Sequence, residues 1–216
     1  MWGLSSQATE STSRRALGSV VLALLALSLA SCVPLPPALA RYASSASPTA
    51  ADPLRAGRPV HIRIPAIDLD WPVVPVGRDS TGAMETPQGP EDAPSWHEAF
   101  WWKYGYASGE VGNAVIAGHV DDVAGNLTDF SRISQLQPGD AIYVRTEYGN
   151  TLRFTVTKVA TVPNPVGGPN DPTINGIFGP ATTANLNLIT CSGTWVGNEF
   201  DQRLIVYSTL APTDAG

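Results

Sequence analysis

From Pro59 to Leu210 the apolar residues come in short runs, each closed by glycine, proline or small polar residues. Runs of this length are too brief for the apolar stripe of a stable helix, and they suit strands. Val60-His61-Ile62-Arg63-Ile64 alternates apolar and polar residues at period two, as a half-buried strand does. Leu69 to Val76 is a second strand, with Pro72 and Pro75 pushing it to an edge or a bend. Ala114 to Ala117 is a compact buried run ending at Gly118-His119. Ala141 to Thr146 and Leu152 to Val162 flank Tyr148-Gly149-Asn150, which is hairpin chemistry. Asn185 to Thr190 and Leu204 to Leu210 complete the set. About eight strands with little helix imply an all-β barrel or sandwich. The best helix candidate is Leu127 to Leu136, closed by Gln137-Pro138-Gly139, with another turn or two expected near Glu91 to Trp102.

Two connections stand out. Trp96 to Tyr106 holds three Trp, one Phe and two Tyr, a cluster suited to core packing, a lid or a peptide groove. Pro163 to Pro180 carries five Pro and four Gly, a length that points to function or to a short helix of its own.

The N-terminus reads as an address. Arg14-Arg15 precede the uncharged apolar run Ala16 to Leu29, the charged and apolar regions of a secretory signal. Leu29-Ala30-Ser31-Cys32 resembles a bacterial lipobox, Ala38-Leu39-Ala40 fits a signal-peptidase site, and an uncleaved anchor is the third outcome. Residues 33–58 are rich in Pro, Ala and Ser, a linker spanning roughly 30 Å as a coil. The expected organisation is an export segment or membrane anchor over 1–32, that linker, and one domain over 59–212. A formal charge of −6 with scattered basic residues argues against a nucleic-acid partner, which requires clustered Lys and Arg.

Cys191 is the only cysteine of the domain, since Cys32 lies in the export segment. Exported proteins usually pair their cysteines, so a solitary one suggests a thiol kept for reactivity; a small buried hydrophobe is the other reading. It ends the run Leu186 to Cys191, with Ser192-Gly193 breaking the strand just beyond. A free thiol is only about 3% thiolate at pH 7, so a nucleophilic cysteine needs a proton acceptor. His61 falls on the polar side of a strand and His97 in the aromatic segment. His119 stands at a strand-to-loop junction and is the candidate base. Acyl transfer also builds charge on a carbonyl oxygen, and Arg203, just ahead of Leu204-Ile205-Val206-Tyr207, is the candidate cation. If the strands of Cys191 and Arg203 are neighbours, their facing ends bring the two side chains together. Arginine cannot act as a base, so its role is electrostatic.

His119 within Ala117-Gly118-His119-Val120-Asp121, Cys191 within Leu188-Ile189-Thr190-Cys191-Ser192-Gly193, and Arg203 within Asp201-Gln202-Arg203-Leu204-Ile205-Val206-Tyr207 together resemble the sortases, class F in particular. The resemblance runs from about Val60 to Leu210. It implies a sortase-type eight-stranded β-barrel with one or two short helices. It also implies a membrane-associated cysteine transpeptidase on the extracytoplasmic face. Such enzymes cleave an LPxTG-like sorting signal between Thr and Gly, hold the acyl group as a thioester, and pass it to an amine or water. On this resemblance Cys191 is the nucleophile, His119 the acid/base, and Arg203 the support for oxyanion and substrate. The family's calcium site does not carry over: Asp121, Asp122 and Asp129 read as solvated acids, and neither metal nor cofactor is expected. Two other readings stay open. An L,D-transpeptidase would want a Ser/Thr-His-Gly just upstream of its cysteine, where this chain has no histidine. A tethered β-domain that only binds would have Cys191 merely buried.

Overall fold

Eight strands close into a barrel in the order β1-β2-β3-β4-β7-β8-β6-β5, with β5 returning to β1. The computed structural model describes residues 55–164 and 171–212. The export segment, Cys32 and most of the linker lie outside the described residues. The end of the linker is tied to the barrel: Gly57 exchanges backbone hydrogen bonds with Ser108, and Arg58 pairs with Glu147 at 3.2 Å.

Strand β1 (Pro59–Ile64) turns Ile62 and Ile64 into the barrel and His61 and Arg63 outward, as its alternation requires. A 3-10 turn leads into β2 (Leu69–Val76). The first half of β2 pairs with β1 and the second half runs parallel to β3. Each half is therefore laddered on one side only, which is how Pro72 and Pro75, lacking N–H donors, fit inside a closed sheet.

Strand β3 (Ala99–Trp102) lies within the aromatic segment, where the sequence suggested helical turns. Only Pro94–His97 coils there, as a 3-10 helix. The run Ala-Phe-Trp-Trp is apolar throughout because both its faces are covered, so it carries no alternation to read. Strand β4 (Gly112–Ala117) is likewise buried at every position and runs parallel to β7. The expected helix at 127–136 is a 3-10 helix, Asp129–Gln135, capped by the Thr128 side chain.

Strands β5 (Ala141–Thr146) and β6 (Thr151–Pro163) form the anticipated hairpin. Helix α1 (Pro172–Phe178) occupies the proline-rich connection. Strands β7 (Ala184–Val196) and β8 (Glu199–Leu210) are much longer than their apolar runs. Ser192-Gly193 does not end β7. It produces a bulge between Ser192 and Trp195, after which pairing resumes to the hairpin tip. Gly193 has φ +85°, and a Cβ there would meet the Asp201 carboxylate, which accepts the Thr194 N–H at 2.7 Å.

The core inside the barrel is built from Ile62, Ile64, Val144, Phe154, Leu186, Leu188, Val206 and their neighbours. A second apolar layer lies outside the β4–β7–β8 wall, where Val115 and Ile205 pack with Ile177 of α1, flanked by Trp102, Ile189 and Tyr207. The carbonyls of α1 are satisfied by strand amides: Asn113 Nδ2 donates to Gly179 O at 2.9 Å, and Asn187 Nδ2 to Ile177 O at 2.7 Å.

Candidate active site

Cys191 and Arg203 are direct cross-strand partners on β7 and β8. Partners in an antiparallel pair point to the same face, here the outer face of the wall. Parallel pairing brings in the third residue. Ala117 of β4 sits beside Ile189 of β7, and the pairing extends past the strand end. Gly118 N–H donates to Ile189 O at 3.1 Å, and the Thr190 hydroxyl to Gly118 O at 2.9 Å. His119 is thereby set alongside Thr190-Cys191. Cys191 and Arg203 are thus paired directly, and the segment carrying His119 is hydrogen-bonded to the stretch of β7 just ahead of the thiol, although Cys191 sits within a long strand and not at its end.

The backbone ahead of His119 depends on Gly118. A Cβ there would stand 2.4 Å from the Phe130 ring, so no other residue fits without moving the 3-10 helix. Thr128 holds the other side, its hydroxyl donating to His119 O while accepting from Phe130 N–H at 3.2 Å. The imidazole packs against Trp96, ring centroids 4.8 Å apart, and edge-on to Phe100 at 5.3 Å. Its Nε2 lies 2.8 Å from the Pro87 carbonyl oxygen. A carbonyl only accepts, so Nε2 carries the hydrogen, and in the neutral ring Nδ1 keeps the lone pair. Trp96 is fixed in turn by donating from Nε1 to Pro90 O at 2.7 Å. Two segments of the β2–β3 connection thus orient one imidazole.

The thiol is half-buried. Burial pushes the Cys191 pKa up from the ordinary thiol range; the Arg203 guanidinium opposes this, while the Asp121 and Glu199 carboxylates add to it. Asp121 is itself raised by burial, with His119 pulling it down and Asp122 pushing it up. The balance of these influences favours the neutral thiol over the thiolate. Arg203 donates from Nη1 to the Phe200 and Gln202 carbonyls, both at 3.0 Å, and its Nη2 is 3.9 Å from Glu199. These bonds lean the guanidinium toward the hairpin tip and leave its Nε–H and Nη2 hydrogens without a hydrogen-bond acceptor among the described residues.

The other histidines lie elsewhere: His61 pairs with Asp70 at 3.1 Å and His97 packs edge-on to Trp71. Asp122 accepts from the Ala124 and Asn126 backbones and from the Asn126 side chain, and Asp129 pairs with Arg132 at 3.0 Å. Among the described residues no cluster of three His, Cys, Asp or Glu is placed to hold a metal. Sequence reasoning missed Pro87 and the charges at Asp121 and Glu199. The aromatic density around Trp96 was visible, but its role in seating His119 was not.

A sortase domain model matches residues 62–211. The chain belongs to the sortase family. Solved structures of sortases share its fold. Sortase A from Corynebacterium diphtheriae is 20% identical at a TM-score of 0.52, over 75% of this chain and 64% of that one. A lid mutant of that protein is 24% identical at 0.52, covering 76% of each chain. Sortase C of Streptococcus pneumoniae is 22% identical at 0.51, over 76% of this chain and 71% of that one. The chain thus spans just under two thirds of the length of the first of these. By sequence it matches no curated protein. No helix among the described residues is long and apolar enough to cross a membrane.

Proposed function

We propose that this sortase-family chain is a class F-type cysteine transpeptidase that cleaves an LPxTG-like sorting signal. The observation that carries the reading is the direct pairing of Cys191 with Arg203, with the His119 segment hydrogen-bonded alongside. The thiol passes its proton to His119 Nδ1, and the sulfur attacks the Thr carbonyl of the signal. Arg203 stabilises the negative charge that develops on that oxygen. His119 returns the proton to the departing Gly amine, leaving a thioester on Cys191. An incoming amine, or water, gives its proton to Nδ1 as it attacks, and the collapse regenerates the thiol. Burial disfavours the thiolate, so in this reading proton transfer to the imidazole precedes or accompanies attack.

In this reading residues 1–32 export or anchor the chain, 33–58 tether it, and 59–212 act at the extracytoplasmic face of the membrane on exported proteins. The test is mass spectrometry of the enzyme incubated with a library of LPxTG-type peptides. The expected product is an acyl adduct on Cys191 ending at Thr, absent in Cys191→Ala. An adduct on no peptide, or turnover retained without the thiol, overturns the reading.

A further inference from the structure

The barrel wall opposite the thiol carries a different cluster. A cavity of about 240 Å³ opens on the outer face of β1, β2, β5 and β6, lined by His61, Arg63, Asp70, Tyr143, Arg145 and Thr151. All but Asp70 bring hydrogen-bond donors. The chain as a whole has a net charge of −6, yet here two guanidinia and an imidazole face one space against a single carboxylate.

The charges are poorly paired. Asp70 is committed to His61 at 3.1 Å. Arg63 lies over the Tyr143 ring, 4.7 Å from its centroid. Arg145 has neither a carboxylate nor a hydrogen-bond acceptor among the described residues. The register sets Asp70 directly opposite Arg63, but Arg145 is the direct cross-strand partner of His61 on one side and of Thr151 on the other, with no carboxylate facing it. A protonated imidazole opposite a guanidinium weakens a sheet, and an anion between them would reverse the sign of that interaction. By contrast, the cavity of about 310 Å³ beside α1 is lined by Asn113, Asn185 and Asn187. Their amides already serve the helix carbonyls and one another, so it offers a ligand little.

We propose that the β1–β5 cavity is a binding site for a phosphate group. Guanidinia favour phosphate and carboxylate through paired N–H bonds. A planar carboxylate satisfies one guanidinium, whereas a tetrahedral oxyanion offers oxygens to Arg63, Arg145 and the Thr151 hydroxyl together. The strands fix the backbone positions of these donors, and the exposed arginine side chains, of which Arg63 already rests on the Tyr143 ring, are ordered on binding at some cost in affinity. Asp70 holds His61 and sets a limit on affinity. The site lies across the barrel from Cys191, and the inference does not rest on the transpeptidase reading.

The experiment is titration of the full chain with inorganic phosphate, glycerol 1-phosphate or the glycerol phosphodiester, at ionic strength held constant with chloride, followed by calorimetry. Saturable one-to-one binding is expected, weakened at least tenfold in Arg63→Gln and in Arg145→Gln and strengthened in Asp70→Asn. Circular dichroism of each variant checks that the barrel is intact. Tighter binding of the diester identifies a polymer or lipid headgroup as the source, and tighter binding of inorganic phosphate identifies the free ion. No saturable binding of any of the three, or equal binding by the folded double variant, overturns the site.

Discussion

The barrel has two unlike walls. The β4–β7–β8 wall is covered on both sides: Ala114, Ile116 and Leu188 face the interior, while Val115 and Ile205 pack outward beneath α1. The β1–β5–β6 wall is covered on one side, with Ile62, Val144 and Phe154 inside and Arg63, Arg145 and Arg153 in solvent. The first wall carries the Cys191–Arg203 pair, with the His119 segment hydrogen-bonded alongside, and it does so under partial burial. Precise placement needs side chains that cannot wander, and a doubly packed wall supplies that rigidity. A singly packed wall can hold charges but leaves their long side chains free.

The sharpest break in this comparison is chemical. Cys191→Ala and His119→Ala should each lower peptide turnover by at least a thousandfold, read as kcat/KM on the sorting-signal peptide. Cys32→Ala should leave turnover by the purified protein unchanged.

Next comes the seat of the imidazole. Trp96→Ala should lower kcat by about a hundredfold through misplacement of His119 and cost about 3 kcal/mol of stability as a buried aromatic. Trp96→Phe should recover most of both. Nitrogen NMR of His119 should show the Nε2–H tautomer in the native protein and a mixture in Trp96→Ala. A native ring protonated on Nδ1 would contradict the assigned roles. Gly118→Ala should destabilise by about 2 kcal/mol through collision with Phe130, measured by denaturant unfolding.

A subtler effect separates the charges around the sulfur. The rate of Cys191 alkylation should rise with pH through a midpoint above that of a free thiol, because burial disfavours the thiolate. Arg203→Gln removes the cation that favours thiolate, so the midpoint moves further up. Asp121→Asn removes an opposing anion, so it moves down. The smallest effect belongs to the other wall, where Arg153→Gln should change turnover less than twofold and stability by under about 0.5 kcal/mol.

Much of this was legible in the chain. Period-two alternation marked β1, and turn chemistry at Tyr148-Gly149-Asn150 marked the β5–β6 hairpin. The thiol, the histidine and the arginine could be singled out because each stood at the edge of an apolar run. What escaped did so for stated reasons. Strand β3 is four residues long and buried on both faces, so its period is hidden. The far halves of β7 and β8 mix polar residues with the exposed Trp195 and Val196 and exist because each ladders the other, a cross-strand cause that local composition cannot show. Pro87 meets His119 through a backbone carbonyl 32 residues away, and a carbonyl leaves no mark in the side-chain alphabet.

The parallel pairing of β4 with β7 sets an order of cost. Arg203 is twelve positions from Cys191 along a hairpin. The bond between Thr190 and Gly118 spans 72 positions, and β5, β6 and α1 intervene in the chain. Closing the short loop between Cys191 and Arg203 therefore costs less chain entropy than bringing Gly118 to Thr190, so the guanidinium is the cheaper and the imidazole the costlier neighbour for the fold to supply.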